Sequence, residues 1–554
     1  MKKAGEFMSD KQLIRGTAIL SASIFISKIL GLIYIFPFTA IVGQGGLALY
    51  SYGYIPYTIL LSLSTIGIPL AVSKFVAKYN ALGDYKTGQR LFRSGLVVMS
   101  IMGFITFIIL FLLAQPIAGL VVDPENLQGN SMDDVVFTIR MVSVALLIVP
   151  IMSLIRGYFQ GFQSMGPTAV SQVIEQIIRI AFILVLTYLI IEVWNGELGT
   201  AVGFATFGAF VGAVGGLAVL LVYWAKRRQS IQQQVDESTT ESGKPLKELY
   251  KELLSYSVPI AIVGLAIPLY QLVDMLTFNQ AMFSNGYDQQ TAEMYFGAFT
   301  QAAHKLIMIP VAIATAMSLT ILPTVTNAYT NKDDERVQRY ITQTYQIILF
   351  LSIPAALGLM LLSDSVYGAL FGVGHTELVI GSDMIRNYAP VAVLFCIFAV
   401  TSSLLQGINR QKYAVIALVS GLLFKAVFNY FFVLWFGAAG APYATGTGYA
   451  VAVGVNIWAI GKFAPYKYNF LVKRLLLIGM FAAVMGAVVY GVRTGAEQFL
   501  TLDSRLNAGV ILGASVLAGA AVYLFLGLRS GLAGQILGHR FRFLEKKKRV
   551  REEG

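Results

Sequence analysis

Seven ionisable side chains lie deep inside long apolar stretches of this sequence, where charge is expensive. They are Lys28, Glu175, Arg179, Asp274, His304, Lys305 and Lys425. A charged group at the centre of a hydrocarbon layer costs at least ~2.5–3.5 kcal/mol on insertion scales, so such groups face a cavity or a partner. These seven positions are therefore the candidates for chemistry.

Glu175 and Arg179 are four residues apart, which places them on one face of the same helix. This spacing predicts a local ion pair, although Arg179 also counts among the cations that an anionic ligand would meet. Arg156 lies near the end of its apolar run. It fits an interfacial anchor and an interior partner equally well.

Asp274 and Lys425 have no oppositely charged residue within a turn of their own helix. Two interpretations stay open. Either the two residues form a bridge with each other, or they build a cation site in which the lysine ammonium competes with a coupling ion, Na⁺ or H⁺. Asn429 lies one turn beyond Lys425 and is placed to join either arrangement.

Lys28 and Lys305 each lie in an apolar helix with no acid within a turn. Such a lysine either snorkels outward or lines a cationic cavity, whose low-dielectric wall strengthens the attraction for an anion. Across the whole apolar interior, four bases face two acids, and His304 adds charge when it is protonated. The balance favours an anionic ligand over a cationic one.

Sequence motifs of the common enzyme classes are absent. No Walker A loop, H-E-x-x-H or G-x-S-x-G pattern occurs, which argues against an ATPase, a metalloprotease and a serine hydrolase. The one cysteine, Cys396, allows no disulfide framework, and three scattered histidines allow no zinc site. We therefore expect no enzyme, no metal site and no cofactor beyond a coupling ion.

Composition places these charges in a membrane protein. Of 554 residues, 56% are hydrophobic and 13% are charged, against roughly 25% charged in a soluble protein. A soluble protein could not bury so many apolar residues, because single cores stop growing at ~250–300 residues. A disordered chain is excluded as well, since 12% of the residues are aromatic. The chain is predicted to be an all-α polytopic membrane protein.

Fourteen apolar runs are long enough to span a bilayer, which takes about 20 residues each. They cover 13–37, 46–72, 91–114, 135–157, 168–191, 200–224, 254–278, 294–327, 341–363, 384–407, 412–436, 442–462, 472–492 and 506–527. We number them as spans one to fourteen. Their grouping predicts two pseudo-symmetric six-helix lobes followed by two C-terminal helices.

The lobes are expected to be 13–224 and 254–462, with the last two spans within 463–527. A polar segment, 225–253, joins the lobes and is predicted to contain a flexible cytosolic linker. The ends are a cytosolic N-terminus, 1–12, and a basic cytosolic tail, 528–554. Within the N-terminus, residues 1–7 resemble a leader added for expression, with Met8 as the native start.

Basic residues in the loops predict the orientation of the chain. Alternate loops and the two termini hold 31 of the 41 Lys and Arg residues, whereas the intervening loops hold four. Short basic loops stay in the cytoplasm. We therefore expect both termini in the cytoplasm of a bacterial cell, with the tail bound to anionic lipids at about 1 kcal/mol per basic residue and no nucleic acid as a partner.

The two lobes carry traces of an internal repeat. Gln160-Gly161 ends the fourth span and Gln406-Gly407 ends the tenth, at an offset of 246. At the same offset, Arg179 on span five matches Lys425 on span eleven. Six spans per repeat predict two copies related by an axis along the membrane normal, as in many transporters.

Helix breakers concentrate on spans one, two, seven and eight. Pro37, Pro56, Pro268 and Pro310 each remove a backbone hydrogen bond and favour a kink. We predict that these four spans gate a central cavity, and static kinks without gating are the alternative.

Span six carries Gly208, Gly212 and Gly216 at intervals of four residues. Such a stripe forms either a dimerisation face or a site of close helix packing. In a bundle of fourteen spans we favour internal packing, and we expect a monomer.

These features resemble the multidrug/oligosaccharidyl-lipid/polysaccharide (MOP) exporter superfamily, and within it the polysaccharide-transport branch with stage V sporulation protein B and the MurJ-type lipid II flippases. The most specific pieces are Ser27-Lys28-Ile29-Leu30-Gly31 in span one and Ala303-His304-Lys305-Leu306-x-x-x-Pro310 in span eight. They are similar to the flippase patterns Ser-Arg-x-x-Gly and Ala-Asp-Arg-Leu-x-x-x-Pro. The resemblance covers roughly residues 8–527.

The resemblance implies a flippase that moves a lipid-linked sugar precursor, undecaprenyl-diphosphate-linked lipid II, from the inner to the outer leaflet by alternating access. Membrane potential or an ion gradient is expected to drive it. Lys28 and Lys305 take the places of family arginines that contact the diphosphate, and His304 and Arg179 are expected to add to that site. Cell-wall synthesis enzymes are the expected protein partners.

Three departures from the proteobacterial pattern of these flippases thin the cationic site. Tyr34-Ile35 occupy the place of an Arg-Asp pair, Leu60 lies near the place of a span-two arginine, and Met308 replaces an acid in span eight. These departures keep other cargoes open. The alternatives are another lipid-linked oligosaccharide or polysaccharide, or a drug exchanged for a cation as in the MATE-type antiporters.

Overall fold

The computed structural model describes residues 10–65, 67–122, 129–238, 245–464, 466 and 468–532. Regular structure in this part of the chain is helical, and the described residues contain no strand. The all-α prediction is confirmed. The predicted leader at 1–7 and the tail from 533 onward lie outside the described residues.

Twenty α-helices follow one another along the described residues, with four short 3-10 or π turns between them. The helices are α1 (Asp10–Ile33), α2 (Ile35–Thr65), α3 (Ile68–Ala81), α4 (Tyr85–Val121), α5 (Met132–Ser143), α6 (Val149–Gly161), α7 (Met165–Tyr188), α8 (Leu198–Asp236), α9 (Leu246–Gly264), α10 (Ala266–Ser284), α11 (Gln289–Gly297), α12 (His304–Thr330), α13 (Asp334–Leu361), α14 (Ser363–Leu370), α15 (His375–Tyr388), α16 (Val391–Gly407), α17 (Gln411–Phe436), α18 (Gly440–Phe463), α19 (Asn469–Glu497) and α20 (Arg505–Arg529). The turns are Val144–Leu147, Leu189–Val193, Ala298–Ala303 and Gly437–Ala439.

Each of the fourteen predicted spans falls on one helix or on consecutive helices. By length and composition, nine helices of the described residues are apolar enough to cross a membrane, or up to eleven when two bent pairs count as single spans. The chain is thus a multi-pass membrane protein. The total of fourteen spans stays a prediction.

Span one bends by 41° between α1 and α2, at Tyr34. The bend lies three residues before Pro37, whose ring lacks the N–H that would bond to the Ile33 carbonyl. Span seven breaks in the same way at Leu265, three residues before Pro268. The predicted breaks are therefore present in both spans.

Span two is interrupted by glycine rather than by its proline. Gly43 (φ 64°) precedes the span and Gly67 (φ 67°) breaks it, and both adopt the left-handed region that side chains disfavour. Pro56 lies inside α2, and Pro310 lies inside α12 after the π turn. The gating role of the four prolines stays a prediction.

The segment after span six is more helical than its polar sequence predicts. Helix α8 extends well beyond the predicted span, and α9 begins before the next one; residues 239–244 lie outside the described residues. Ile231 and Leu249 join an apolar cluster with residues of α3, α4 and α6. Because these apolar side chains anchor both helix ends, the linker is shorter than the predicted 225–253.

Internal contacts divide the chain into two compact units. Unit 1 comprises Met1–Asn279 and Asp288–Glu293, and unit 2 comprises Gln280–Tyr287 and Met294–Gly554. The boundary thus falls after span seven and not in the linker before it. Asn279 accounts for part of this assignment, because its amide donates to the Tyr52 hydroxyl and to the Val121 carbonyl.

A glycine contact recurs in the two units. In unit 1, a Cβ added at Gly161 of α6 would lie 2.7 Å from Val76 Cβ on α3. In unit 2, a Cβ added at Gly407 of α16 would lie 3.1 Å from Val325 Cγ1 on α12. Gly161 and Gly407 are the positions that the predicted repeat matches, so each unit uses the same packing.

The turn after each of these glycines has the same backbone form. Gln163 (φ 56°) and Asn409 (φ 58°) both take the left-handed conformation that commonly ends a helix. The next N–H, of Ser164 or Arg410, bonds to the carbonyl five residues earlier, at 3.0 and 2.7 Å respectively. The internal repeat is therefore visible in the backbone of the described residues.

The glycine stripe of span six packs against span five within unit 1. A Cβ added at Gly212 would lie 2.8 Å from both the Arg179 Cβ and the Glu175 carbonyl oxygen. A Cβ added at Gly216 would lie 3.1 Å from Glu175 Cβ, and one at Gly208 would approach the Arg179 carbonyl. The stripe is thus a site of close internal packing, as predicted.

In unit 2, Asp364 at the start of α14 fixes α19 to the preceding helices. Its carboxylate accepts from Arg493 at 2.7 Å and from Arg386 at 2.9 Å, and Arg493 also donates to the Leu361 carbonyl at 2.6 Å. Burial alone would raise the pKa of Asp364. The hydrogen bond from Ser382 and the two arginine charges outweigh burial and lower the pKa below its usual value.

We predict that Gly212→Ala destabilises the protein by about 1–3 kcal/mol, as overpacking does in other proteins, because the added methyl group has no room beside α7. The melting temperature in detergent, followed by tryptophan fluorescence, measures the effect. Gly454→Ala on α18 is the control, since nothing lies within 4 Å of its added Cβ. Equal melting temperatures for the two variants would contradict the packing described.

Candidate functional site

Arg179 lies in unit 1 among four tyrosines of the first two spans. Its Nη2 donates to the Tyr50 hydroxyl at 3.1 Å, and its Cζ lies 5.0 Å from the Tyr54 ring centroid. Tyr34 and Tyr57 adjoin these two tyrosines, with the Tyr34 hydroxyl 3.4 Å from the Tyr50 hydroxyl and the Tyr57 ring centroid 5.3 Å from the Tyr54 ring centroid. A guanidinium over an aromatic face and bonded to a phenol suits an interior with little water. We name these five residues the tyrosine cage.

Helix spacing on α2 builds this cage. Tyr50, Tyr54 and Tyr57 recur at intervals of four and three residues, so they share one helix face. The ring centroids of neighbouring pairs are 5.3 Å apart. Tyr34 lies at the bend between α1 and α2, and its hydroxyl donates to Tyr50 at 3.4 Å. The tyrosine spacing is a sequence signal that charge-based reasoning overlooks.

The predicted ion pair between Glu175 and Arg179 is wrong. Among the described residues, Glu175 pairs with Arg156 of α6, whose Nη2 lies 2.7 Å from Glu175 Oε2. The same Arg156 atom donates to Ser171 Oγ at 2.7 Å, and Ser171 donates to the Gly216 carbonyl at 2.9 Å. Arg156 therefore has the interior partner that the sequence left open, because α6 places it beside α7.

The two interior arginines of unit 1 differ in how their charge is balanced. Arg156 meets a carboxylate, which neutralises it, whereas Arg179 meets phenol oxygens and aromatic rings, which do not carry a charge. Within the described part of the chain, Arg179 forms no ion pair. The tyrosine cage thus holds a positive charge that no carboxylate neutralises, on the half-buried Arg179 of unit 1.

Lys28 lies on α1 with an exposed side chain. Its ammonium makes no hydrogen bond and no ion pair with any residue that the structure describes. One turn further along α1, a Cβ added at Gly31 would lie 3.2 Å from the Gln176 side chain of α7. Helix α1 is therefore held on α7 while the Lys28 ammonium stays accessible to a ligand.

His304 and Lys305 open α12 in unit 2, directly after the π turn Ala298–Ala303. His304 is 8% exposed, its Nδ1 lies 3.2 Å from the Tyr388 hydroxyl, and its ring meets Phe395 edge-on. Lys305 is half-buried. The structure thus places His304 inside unit 2, whereas the neighbouring lysine lies nearer the surface.

Lys425 and Asn429 lie on α17 of unit 2 and are fully buried. The Lys425 ammonium donates to Thr445 Oγ1 on α18 at 2.6 Å. Asp274, on α10 of unit 1, is 2% exposed. The pairing of Asp274 with Lys425, and the alternative cation site, both stay predictions.

Glu293 of unit 1 is a buried carboxylate that sequence reasoning does not single out. It is 1% exposed and accepts from the Asn130 N–H at 2.9 Å, the Asn130 amide at 2.8 Å and the Gln289 amide at 3.0 Å. The Asn130 amide also donates to the Gly45 carbonyl at 3.1 Å. Glu293 lies among polar residues at the start of a helix, where an acid is usually solvated, so its sequence gives no signal of burial.

Other candidate sites are few. No group of three or more His, Cys, Asp or Glu side chains among the described residues is placed to hold a metal ion. Unit 2 has a cavity of about 330 Å³ where α12 ends and α13 begins, lined by Pro323, Thr324, Asn327, Ala328, Arg336 and Tyr340. None of the predicted site residues lines it.

Comparison with known families defines the class of this protein. The chain matches the family described as polysaccharide biosynthesis protein over residues 13–329, more than half of its length. The MatE family matches residues 259–431. The first match and the helical, multi-pass fold define the chain as a multi-pass membrane protein of this family.

Curated relatives cover nearly the whole chain. The protein named lipid II flippase MurJ of Bacillus subtilis (strain 168) is 44% identical over 534 residues, which is 96% of this chain and 98% of the relative. Stage V sporulation protein B of the same organism is 23% identical over 526 residues, or 94% and 95% of the two chains.

Solved structures show the same fold. The lipid II flippase MurJ in an inward closed conformation gives a TM-score of 0.66 at 16% identity, covering 94% of this chain and 99% of the other. An inward-facing MATE family multidrug transporter gives 0.65 at 16% identity, covering 82% and 99%. The chain belongs to the polysaccharide biosynthesis protein family.

We predict that Tyr50→Phe lowers the stability of the protein by about 1–3 kcal/mol, the range for losing a hydrogen bond from a charged donor, because the half-buried Arg179 loses its phenol acceptor. Tyr57→Phe is the matched control, since the Tyr57 hydroxyl makes no hydrogen bond with a residue that the structure describes and its removal should cost less. Urea or thermal unfolding in detergent compares the two. A larger loss for Tyr57→Phe would contradict the hydrogen-bonding role of Tyr50.

Proposed function

We propose that this protein is a lipid II flippase, which moves the undecaprenyl-diphosphate-linked peptidoglycan precursor from the inner to the outer leaflet by alternating access. The observation that carries the proposal is the 44% identity, over 96% of the chain, to the Bacillus subtilis lipid II flippase MurJ. The match also covers 98% of that relative. The proposal therefore rests on the whole length of the relative and not on one segment.

Lys28 and Lys305 are the proposed ligands of the diphosphate. Lys28 supports this role because its ammonium is exposed and has no partner among the described residues. A cation in a low-dielectric wall attracts a multiply charged anion more strongly than it would in water. Each lysine supplies hydrogen-bond donors as well as charge to the phosphate oxygens.

Arg179 and His304 take indirect roles in this proposal. Arg179 is engaged by Tyr50 and Tyr54, so it contributes positive potential rather than a direct contact. His304 is buried against Tyr388. It therefore positions Lys305 on α12 instead of contacting the cargo.

Membrane potential or an ion gradient of Na⁺ or H⁺ is the proposed energy source. The sequence has no nucleotide-binding loop. Each elementary charge that crosses the membrane field gains about 2.3 kcal/mol per 100 mV. A transporter with positive interior groups, such as Arg179, is therefore able to respond to voltage.

The proposed location is the bacterial plasma membrane, with both termini in the cytoplasm and the protein acting as a monomer. The distribution of 31 basic residues supports this orientation. Exposed tryptophans lie near helix ends, as interfacial residues do: Trp194 and Trp435 near predicted outer ends and Trp458 near a predicted inner end. Anionic lipids and cell-wall synthesis enzymes are the proposed partners.

Leaflet-resolved labelling of lipid II tests the function. Cells depleted of their own flippase would carry the wild type, Lys28→Ala or Lys305→Ala, and a membrane-impermeant amine reagent would label outer-leaflet lipid II. We expect each variant to reduce labelling about tenfold or more, because a charge-assisted contact contributes about 1.5–3 kcal/mol. Lys28→Arg should retain function, since it keeps the cation.

Lys226→Ala is the control, because Lys226 is exposed at the cytosolic end of span six and belongs to no proposed site. Equal expression of all variants is checked by immunoblotting of membranes. Unchanged outer-leaflet lipid II after depletion and with both alanine variants would overturn the flippase proposal.

A MATE-type antiporter is the second candidate function, favoured by the MatE match over residues 259–431. Such an antiporter needs an acidic ion-coupling residue more than it needs Lys28. Drug efflux that depends on Asp274 and continues in Lys28→Ala would support this candidate against the flippase.

The bridge between Asp274 and Lys425 is proposed from the sequence, since each charge lies deep in an apolar span with no opposite charge within a turn and such charges require a partner. We predict that Asp274→Asn and Lys425→Met each reduce folding yield strongly, as removal of one partner costs about 3–5 kcal/mol. The double variant should recover most of that loss. Fluorescence size-exclusion chromatography measures the yield, and additive losses would contradict the bridge and favour the separate cation site.

A further inference from the structure

The ends of α17 and α18 predicted to face the cytosol carry three cations placed on aromatic rings of unit 2. Arg410 Cζ lies 4.5 Å from the Phe463 centroid, Lys412 Nζ lies 5.3 Å from the Tyr413 centroid, and Lys462 Nζ lies 5.0 Å from the Trp458 centroid. We name these six residues the cation-aromatic patch. Each cation–π contact orients a charge without neutralising it.

The three rings form one continuous surface. Tyr413 lies 4.7 Å from Phe463 and 6.1 Å from Trp458, measured between ring centroids. Lys462 also lies 5.7 Å from Phe463, so two cations share that ring. Trp458 is 55% exposed. The patch is therefore a single surface, exposed at Lys412, Trp458 and Lys462 and half-buried at Arg410, Tyr413 and Phe463.

The patch lacks acidic residues that would balance its charge. No Asp or Glu occurs in the sequence between Asp383 and Glu497. In the described part of the chain, the side chains of Arg410, Lys412 and Lys462 form no ion pair and no hydrogen bond. Three neighbouring cations without a counter-charge repel one another, so an anion bound among them would relieve that repulsion.

The internal repeat shows that the turn at Arg410 forms without a cation at this position. At the matching turn of unit 1, Ser164 occupies the place of Arg410. Ser164 accepts a hydrogen bond from Arg227, whose guanidinium also lies over the Phe159 ring. The same backbone turn therefore forms in unit 1 with a hydroxyl at this position.

We propose that the cation-aromatic patch binds the phosphate headgroup of an anionic glycerophospholipid of the inner leaflet. A phosphate ester is the shared chemistry of lipid headgroups and free phosphates. The lipid is favoured because an exposed tryptophan beside lysine at the end of an apolar helix is typical of the headgroup level. The acyl chains would then lie along the exposed apolar faces of α17 and α18.

This inference is independent of the proposed cargo, because the patch contains neither Lys28 nor Lys305. A lipid bound here would fix the depth of α17 and α18 at the inner membrane surface. Basic residues near an anionic surface each contribute about 1 kcal/mol, which corresponds to about fivefold in affinity per residue.

Lipid quenching of Trp458 tests the site. The full chain with Trp194→Phe, Trp224→Phe and Trp435→Phe keeps Trp458 as its one tryptophan. The vesicles contain phosphatidylcholine with either brominated phosphatidylglycerol or brominated phosphatidylcholine. We expect the anionic lipid to quench Trp458 at least fivefold more strongly, which is the preference that one bound basic residue provides. Adding Arg410→Gln, Lys412→Gln and Lys462→Gln should reduce the preference to about one.

The matched control removes the same charge from exposed cytosolic positions of unit 1, with Lys226→Gln, Arg228→Gln and Lys251→Gln. It should keep the preference, and an equal loss in both triple variants would overturn the proposal in favour of general surface charge. No preference in the starting protein would overturn it as well. Displacement by millimolar pyrophosphate at constant ionic strength would assign the patch to a free phosphate instead of a lipid.

A second measurement covers the case in which the single-tryptophan protein does not fold. The chain with all four tryptophans is purified in detergent from cells, and the phosphatidylglycerol that it retains is measured by mass spectrometry. We expect several-fold less retained lipid in the Arg410, Lys412 and Lys462 triple variant than in the unit 1 control. Equal retention would overturn the proposal.

Discussion

Charge inside a hydrocarbon layer has to be compensated locally, and the interior of this protein depends on that constraint. Arg156 meets the Glu175 carboxylate at 2.7 Å, which neutralises it. Arg179 is held by the tyrosine cage, and Lys425 donates to the Thr445 hydroxyl at 2.6 Å. A carboxylate removes a positive charge, whereas a hydroxyl or an aromatic ring stabilises it and leaves it in place. Arg179, which bonds to neutral groups and forms no ion pair among the described residues, is thus a cation that shapes the potential within unit 1.

Close helix packing makes these pairings available. Between helices in lipid, van der Waals contact replaces the hydrophobic effect, so small residues decide how near two helices come. Gly212 and Gly216 bring α8 against the backbone of Glu175 and Arg179, and the Gly216 carbonyl accepts from Ser171. This contact fixes the rotation of α7 about its axis. The Glu175 and Arg179 side chains are therefore directed to partners on other helices.

Properties carried by local sequence could be predicted, and properties that depend on neighbouring helices could not. Hydropathy placed the spans, and the missing N–H of Pro37 and Pro268 placed two breaks, because both effects act within one helix. The predicted Glu175–Arg179 pair was wrong because the i,i+4 rule considers one helix alone, and α6 supplies a better donor in Arg156. The tyrosine cage depends on the bend between α1 and α2 and on the spacing of the tyrosines on α2. The bend was predicted from the sequence, but the spacing was not used.

Comparing the two copies of the repeat shows which features the units share and which differ. Both units keep the same helix-ending turn, but Ser164 follows it in unit 1 and Arg410 in unit 2, so the backbone does not dictate that charge. Arg179 and Lys425 also occupy matching positions, and each donates to a hydroxyl, of Tyr50 or of Thr445. The residue that supplies the hydroxyl differs between the units, whereas a cation bonded to a neutral hydroxyl is present in both. Since a hydroxyl does not cancel a charge and Arg179 forms no ion pair among the described residues, unit 1 keeps positive potential at this position.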